Sequence, residues 1–183
     1  MKNISIKYKL ILLFLSAVLI LASVMLVTVK LVVTEGVKEF AIKKAESDLR
    51  TGYDILDKKY PGDWRLEGKK LYKGNKLING NYSTIDHIGK LTGDTVTIFA
   101  NDTRVATNVK KDGKRAVGTV VSDIVKQKVL KEGKDFYGEA NVVGYLYQTA
   151  YTPIRNKQGE TIGIWYVGAP KKIVAKIISG TFN

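Results

Sequence analysis

The sequence predicts an α+β domain in which a long N-terminal helix packs on an antiparallel sheet of about five strands, preceded by a transmembrane helix. Two observations support this fold class. A charge-free apolar run, followed by an apolar stripe with helical spacing, fills the first third of the 183-residue chain. Short segments with β patterning, separated by turn residues, fill most of the remainder. Separation of helical and strand segments along a chain is typical of α+β folds.

The predicted transmembrane helix covers residues 10–30. Residues 10–29 contain no charged residue and no proline. A helix of about 20 residues is about 30 Å long, which matches the hydrocarbon core of a bilayer. Three lysines lie within residues 1–9. Positive charge before a span favours a cytoplasmic N-terminus, so we expect the rest of the chain to lie outside the cytoplasm, anchored in the cell membrane.

A cleaved signal peptide is the main alternative to this anchor. Signal peptides have an apolar core of about 7–15 residues, followed by small residues at the cleavage site. Here the apolar run is longer, and the best small residues, Ala22 and Ser23, lie inside it. A buried core helix would need a polar face, which this run lacks. An uncleaved anchor is therefore the favoured interpretation.

A second helical segment follows the anchor and opens the predicted extracytoplasmic domain, residues 31–170. Apolar residues recur there at spacings of three and four, and Pro61 ends the pattern. We expect the membrane helix to continue directly into this helix, with Gly36 as the weak point. The predicted stripe consists of Val33, Val37, Phe40, Ala41, Ala45, Leu49, Tyr53, Leu56 and Tyr60.

The β-patterned part of the chain predicts a short hairpin around residues 64–72 and the main sheet after it. The strands expected in the sheet are 95–100, 103–109, 136–143, 145–155 and 161–168. The last of these is almost continuously apolar, which is typical of a central strand.

Two short helices complete the predicted domain, one at 84–92 and one at 122–132. In the second, Ser122 serves as the N-cap residue and the apolar residues are expected to face inward, namely Ile124, Val125, Val129 and Leu130. Residues 171–183 are expected to begin a helix that leads towards a second membrane span.

Composition excludes several functional classes. The chain has no cysteine, which rules out disulfides, thiolate zinc sites and cysteine nucleophiles, and it has one histidine, His87. No phosphate-binding loop, dinucleotide-binding motif or hydrolase motif is present. We therefore expect neither an enzyme nor a cofactor or a bound metal. The formal net charge of +13 favours an anionic ligand, and the scattered lysines do not form the basic stripe of a nucleic-acid-binding protein.

Two arginines near the 110–114 loop are candidate ligand contacts, Arg104 and Arg115. A guanidinium can bind a carboxylate through two parallel hydrogen bonds, which lysine cannot do. Strict alternation along strand 103–109 places Ala106 and Asn108 on the face of Arg104, and Thr103, Val105, Thr107 and Val109 on the opposite face. The alternative interpretation is a solvated arginine on the exposed face of a sheet.

A tyrosine-rich segment in the fourth predicted strand is the second candidate. Tyr145, Tyr147, Thr149 and Tyr151 share one face of that strand. Phenolic rings suit a half-apolar pocket that must also donate hydrogen bonds. Taken alone, such a face is better explained as ordinary aromatic packing of a sheet. Together with the two arginines, it favours a pocket for a small molecule.

Two long motifs connect these candidates to a known family, TIFANDTRVATNVKKDGKRAVGT and YGEANVVGYLYQTAYTPIRNKQGETIGIWYVGAP. Over roughly residues 35–170 the chain resembles the single Cache domain of bacterial methyl-accepting chemotaxis proteins. The resemblance implies a PAS-like fold outside the membrane. Such domains are similar to the sensor domains of citrate- and dicarboxylate-sensing kinases. This similarity suggests Arg104, Thr107 and Asn108 for the pocket wall, with Arg115 and Tyr147 as further contacts.

The resemblance implies an extracytoplasmic ligand-sensing domain of a membrane-bound chemoreceptor. It would bind a small anion, expected to be a carboxylate, and transmit a conformational signal in chemotaxis, with a homodimer formed through the long helix. Chemoreceptors continue into a second membrane helix and a cytoplasmic signalling region, so we expect a receptor fragment or a sensor severed from its output. The alternatives are the sensor domain of a histidine kinase or cyclase, an exported enzyme, and an adhesive surface protein.

Overall fold

The computed structural model describes residues 5–170. The predicted start of a helix at 171–183 lies outside these residues. The described helices are α1 (Ile6–Lys59), α2 (Tyr82–Thr92) and α3 (Asp123–Val125), which leads into π-helical turns at Lys126–Lys131. The described strands are β1 (Trp64–Glu67), β2 (Lys70–Lys73), β3 (Lys76–Leu77), β4 (Thr95–Ala100), β5 (Thr103–Thr107), β6 (Lys110–Lys111), β7 (Lys114–Arg115), β8 (Phe136–Val142), β9 (Tyr145–Arg155) and β10 (Thr161–Pro170).

The chain divides into two compact units, residues 1–37 and 38–183. In the described part of the first unit, α1 carries large apolar side chains that are exposed almost throughout. By length and composition, α1 is the one described helix that could cross a membrane. A bilayer would remove this apolar surface from water, as the sequence predicts for residues 10–30.

In the second unit, α1 covers one face of the main sheet. Its buried residues recur at spacings of three and four: Ala41, Ala45, Leu49, Gly52 and Leu56. The indole Nε1 of Trp165 donates to the Leu49 carbonyl at 2.8 Å, which joins the helix to the sheet. Phe40 was expected in the buried stripe, and this expectation is wrong. Its side chain is 65% exposed, because Phe40 lies one residue outside the row that begins at Ala41.

The main sheet has five antiparallel strands in the order β5-β4-β10-β9-β8. The predicted fold class and the central position of the last strand are thereby confirmed. The predicted hairpin around 64–72 is also present and gains a third strand, in the order β1-β2-β3. Residues 110–114, expected to be a loop, form the two-stranded hairpin β6-β7 together with Arg115.

The sheet separates two apolar cores. The helix-side core contains residues of α1 and α2 packed against Val96, Ile98 and Trp165. The loop-side core lies on the other face, where residues 109–130 cover Phe99, Tyr151 and Tyr166. Because successive strand residues point to opposite faces, Trp165 and Tyr166 lie in different cores although they are neighbours in β10.

The expectation of strict alternation along strand 103–109 is wrong. Phe99 pairs with Arg104, and Ile98 pairs with Ala106, so β5 has one extra residue at Val105. A bulge of this kind reverses the alternation beyond it. Thr107 pairs with Thr97, which lies on the Phe99 face of β4. Arg104 and Thr107 therefore share one face, whereas Ala106 lies in the helix-side core.

The segment that covers the loop-side core also differs from its prediction. Residues 122–132 were expected to form one α-helix, but only Asp123–Val125 are α-helical and Lys126–Lys131 form wider π-helical turns. Val125 and Val129 are buried as expected, whereas Ile124 is 64% exposed. The wider turns change which residues share a face, and they are frequent at functional sites.

Candidate functional site

Arg104 is the buried cation of the loop-side core. Its side chain is 3% exposed, and its guanidinium carbon Cζ lies 4.8 Å from the centroid of the Phe99 ring. Nη1 donates to the Thr119 hydroxyl, whereas the buried Nε–H has no hydrogen-bond partner. Within residues 5–170, no aspartate or glutamate forms an ion pair with it. Arginine keeps its charge in proteins, so this site holds a buried positive charge without a carboxylate.

Three tyrosines lie within electrostatic range of this cation, and we call Tyr147, Tyr151 and Tyr166 the tyrosine cluster. All three interact electrostatically with the Arg104 guanidinium. The Tyr151 and Tyr166 rings pack with centroids 4.7 Å apart. The Tyr166 hydroxyl lies 3.0 Å from Thr95 Oγ1, and Tyr147 is half-buried. The cluster thus combines apolar ring surface with hydroxyl groups next to a guanidinium.

Burial determines the ionisation of this site. It lowers the pKa of the Arg104 guanidinium and raises the pKa of all three clustered tyrosines. The phenols therefore stay neutral at physiological pH and can donate hydrogen bonds. A buried charge without a partner costs several kcal/mol unless polar groups or a counter-ion compensate it. The arrangement is suited to an anion that accepts hydrogen bonds.

An open cleft of about 900 Å³ lies on the outer side of the residues that cover Arg104. Its walls come from the β6–β7 turn, the segment from Gly118 to Asp123 and the turn between β8 and β9. Thr119 both lines the cleft and accepts the hydrogen bond from Arg104. Val121 likewise lines the cleft and belongs to the loop-side core. Residues 116–131, which we call the covering segment, therefore lie between the cleft and the buried guanidinium.

Thr107 lies on the same face as Arg104, but its hydroxyl already has protein partners. Its Oγ1 is 2.6 Å from Thr97 Oγ1 and accepts a hydrogen bond from the Val109 amide at 3.0 Å. Asn108 is placed differently: its Oδ1 accepts from the Val96 amide at 2.7 Å and its Nδ2 donates to the Asp94 carbonyl at 3.2 Å. These contacts hold the ends of β4 and β5 together.

Arg115 does not join Arg104. It forms a two-point ion pair with Asp86 of α2, with N–O distances of 2.8 and 2.7 Å, and Nη1 also donates to the Thr107 carbonyl at 2.7 Å. Its guanidinium lies 4.4 Å from the centroid of the Tyr82 ring. The hydrogen bonds to Asp86 raise the pKa of Arg115. The side chain thus joins the β6–β7 hairpin to α2.

The tyrosine strand divides between the cluster and the surface. Tyr147 and Tyr151 lie beside Arg104, whereas Tyr145 is 64% exposed and lines the cleft. Phe99, Thr119 and Tyr166 were not among the site residues predicted from the sequence. Tyr166 could have been predicted, because alternation along β10 places it on the same face as Ile164. His87 is exposed, and residues 5–170 contain no group of three histidine or acidic side chains that could hold a metal ion.

Comparisons with known proteins identify the family. The family model described as single Cache domain 3 matches residues 76–181. The crystal structure of the E. coli DcuS sensor domain matches with a TM-score of 0.45 and 14% identity, covering 80% of this chain and 97% of that one. The ligand-binding domain of the Campylobacter jejuni chemoreceptor Tlp3, solved with L-valine, matches with a TM-score of 0.39 and 14% identity, covering 81% of this chain and 66% of that one.

A search of curated proteins gave no significant match. The family model covers more than half of the chain, and Cache domains are extracytoplasmic ligand-binding sensor domains of membrane receptors. The PAS-like architecture implied by the sequence motifs is confirmed by the five-stranded antiparallel sheet behind a long helix. The chain therefore belongs to the single Cache domain 3 family.

Proposed function

We propose that this chain is the sensor region of a membrane-bound chemoreceptor and that it binds a small carboxylate at Arg104. The observation that carries the proposal is the buried guanidinium, which has an unpartnered Nε–H and no carboxylate partner within residues 5–170. A carboxylate ligand would supply both the missing charge and the missing acceptor. Phenolic hydroxyls of the tyrosine cluster would complete its hydrogen bonds.

The covering segment gives the site a way to report occupancy. A ligand that enters from the cleft displaces the Thr119 hydroxyl from Arg104 or binds beside it, and residues 116–131 adjust to the new partner. When the Arg104 guanidinium moves, Tyr166 of β10 moves with it. Trp165, the neighbour of Tyr166 in β10, donates a hydrogen bond to the Leu49 carbonyl of α1. Movement of β10 therefore acts on α1, the helix that also contains residues 10–30.

Ligand binding is tested by thermal unfolding of the full chain in lipid nanodiscs, with a panel of small carboxylates. Tryptophan fluorescence is a suitable signal, because the only two tryptophans, Trp64 and Trp165, lie in the helix-side core. A ligand at one hundred times its Kd stabilises the folded state by about 2.7 kcal/mol. We expect a rise in Tm for one class of carboxylate in the wild type and none in Arg104→Gln.

A matched control separates this site from general charge effects. Arg65 is a partly exposed arginine of the small sheet, where its side chain pairs with Glu67 at 2.8 Å. Arg65→Gln removes the same charge elsewhere and should keep the ligand-induced rise in Tm. An equal rise in wild type and Arg104→Gln would contradict the proposed site.

The receptor class and the topology need their own experiments. We propose a cytoplasmic N-terminus and an extracytoplasmic domain, supported by the lysines that precede the apolar run. Joining the chain to the transmembrane and signalling half of a chemoreceptor should give ligand-dependent kinase control. A histidine-kinase origin would instead predict function only when the chain is joined to a kinase output. Cysteine labelling from each side of the membrane tests the orientation.

We also propose a homodimer formed through α1. The support is the 65% exposed Phe40, next to the buried row of the same helix. An exposed aromatic ring on a helix is a natural anchor for a second copy. Mass measurement of nanodisc particles should give two chains for the wild type and a shift towards one chain for Phe40→Glu.

A further inference from the structure

The cationic side chains close to the loop-side core differ in whether a protein carboxylate already neutralises them. Arg115 is bound at two points by Asp86. Lys126, on the covering segment, lies 2.5 Å from Asp102. Arg104 alone among these three has no carboxylate partner within the described residues 5–170. The buried site therefore offers one positive charge, and one charge can neutralise one carboxylate.

Within the loop-side core, the surroundings of the Arg104 guanidinium are rings, hydroxyls and aliphatic groups. Phe99 lies next to the guanidinium, and the tyrosine cluster is within electrostatic range of it. The loop-side core continues into apolar side chains such as Ala140, Val121 and Ile164. In the described chain, no acidic side chain accompanies these groups in the core. An ammonium group placed one carbon from a bound carboxylate would therefore meet phenols and alkyl groups, which do not neutralise it.

The cleft outside the covering segment offers no second anion site. Its rim contains one lysine, Lys111, and two acidic residues, Asp112 and Asp123. A ligand that extended a second carboxylate towards this rim would meet more negative than positive charge. The charge pattern of both regions thus opposes a dianion.

We propose that the ligand is a short-chain monocarboxylate with an apolar or hydroxylated tail, and that dicarboxylates and α-amino acids are rejected. This inference rests on the proposed function, because it assumes that Arg104 binds the carboxylate. A site rejects an analogue strongly when binding would leave a polar group buried and unpaired. A second carboxylate or an α-ammonium would be such a group here.

The test uses ligands that differ by one group. Propionate is the reference compound, succinate adds one carboxylate to its terminal carbon, and alanine adds one ammonium to its α-carbon. Affinities are measured by isothermal titration calorimetry on the full chain in lipid nanodiscs. We expect propionate to bind at least tenfold more tightly than either analogue, and lactate to bind within tenfold of propionate.

Two variants distinguish a failure of the predicted ligand selectivity from a failure of ligand binding at Arg104. Arg104→Gln should abolish propionate binding, and Arg115→Gln should leave it within twofold of the wild type. Succinate or alanine binding as tightly as propionate, and depending on Arg104, would overturn the inference while the proposed site stands. Absence of binding by all of these ligands would overturn the inference, and binding that is unchanged in Arg104→Gln would overturn both.

Discussion

Arg104 lies directly opposite Phe99 in the antiparallel pair β5–β4, with its guanidinium carbon 4.8 Å from the centroid of the aromatic ring. The tight connection between β4 and β5 sets this pairing, and the bulge at Val105 follows it and changes the pairing of Ala106 and Thr107. A cation over an aromatic face gains about 0.5–2 kcal/mol, which offsets part of the cost of burying the charge. The ring packs against one side of the guanidinium but cannot accept the hydrogen bond that the Nε–H could donate.

Arg104→Met should separate stability from binding. Methionine has a long, adaptable apolar side chain that can cover Phe99, and it removes a buried charge that lacks a carboxylate partner. We expect the free energy of unfolding without ligand to be unchanged or higher by about 1 kcal/mol, and carboxylate binding to weaken by about 2–5 kcal/mol. Urea unfolding followed by tryptophan fluorescence measures the first quantity, and calorimetry measures the second. A large loss of stability would indicate a structural role for the guanidinium.

The Arg115–Asp86 pair should contribute to the stability of the domain but not to carboxylate binding. Both side chains are partly exposed, at 28% and 45%, and such pairs contribute about 0.2–1 kcal/mol. A double-mutant cycle with Arg115→Gln and Asp86→Asn should give a coupling energy in that range. Carboxylate affinity should stay within twofold of the wild type in every member of the cycle. Loss of binding in Arg115→Gln would place this arginine in the ligand site.

Gly52→Ala should destabilise the domain although alanine favours helices. A β-carbon at Gly52 would lie 2.8 Å from Trp165 and 3.0 Å from Ile88 in the helix-side core. Overpacking costs about 1–3 kcal/mol, more than the roughly 1 kcal/mol gained in helix propensity. Gly36→Ala is the matched control, because no atom lies within 4 Å of its added β-carbon. Denaturant titration should show a lower midpoint for Gly52→Ala and an unchanged or higher one for Gly36→Ala.

Asp94 should make the stability of the domain depend on pH. Its carboxylate is 2% exposed and lies 2.9 Å from Lys44 Nζ, which also contacts Asp48 at 2.5 Å. Burial raises the pKa of Asp94 from 3.8 to about 6. The folded state therefore binds the Asp94 proton more tightly than the unfolded state does. Protonated Asp94 stabilises the folded state below pH 4, and this stabilisation is lost as the pH rises to about 6.

Asp94→Asn isolates this effect from the other carboxylates. The variant cannot titrate at this position, so its free energy of unfolding relative to the wild type should rise by about 1–3 kcal/mol between pH 4 and pH 7. Urea unfolding at a series of pH values measures the difference. A constant difference across this range would contradict the raised pKa.

The fold was largely predictable from the sequence because its patterns are local. The buried row on α1 repeats every three to four residues, and β10 is apolar on both faces because it is the central strand. The π-helical turns at Lys126–Lys131 were not predictable in this way. Val129 in these turns and Val125 just before them fit an α-helical pattern equally well.

The candidate site was less predictable because it depends on register and on distant partners. One extra residue at Val105 changes which side chains share the face of Arg104, and the sequence of the strand does not mark a bulge there. The pairing of Arg115 with Asp86, 29 residues away, is likewise set only by the fold. Alternation along a single strand does identify Tyr147 and Tyr151 as residues on one face, because no bulge interrupts that part of β9.

Side-chain NMR of the arginines would show directly whether a carboxylate binds at Arg104. The chain has five arginines, so a sample of the full chain in nanodiscs labelled with ¹⁵N-arginine should give five Nε–Hε signals, and Arg104→Gln assigns one of them by its loss. Adding a carboxylate that raises Tm should move the Arg104 signal, because its Nε–H gains an acceptor. A ligand that binds without moving the Arg104 signal would contradict binding of the carboxylate at Arg104.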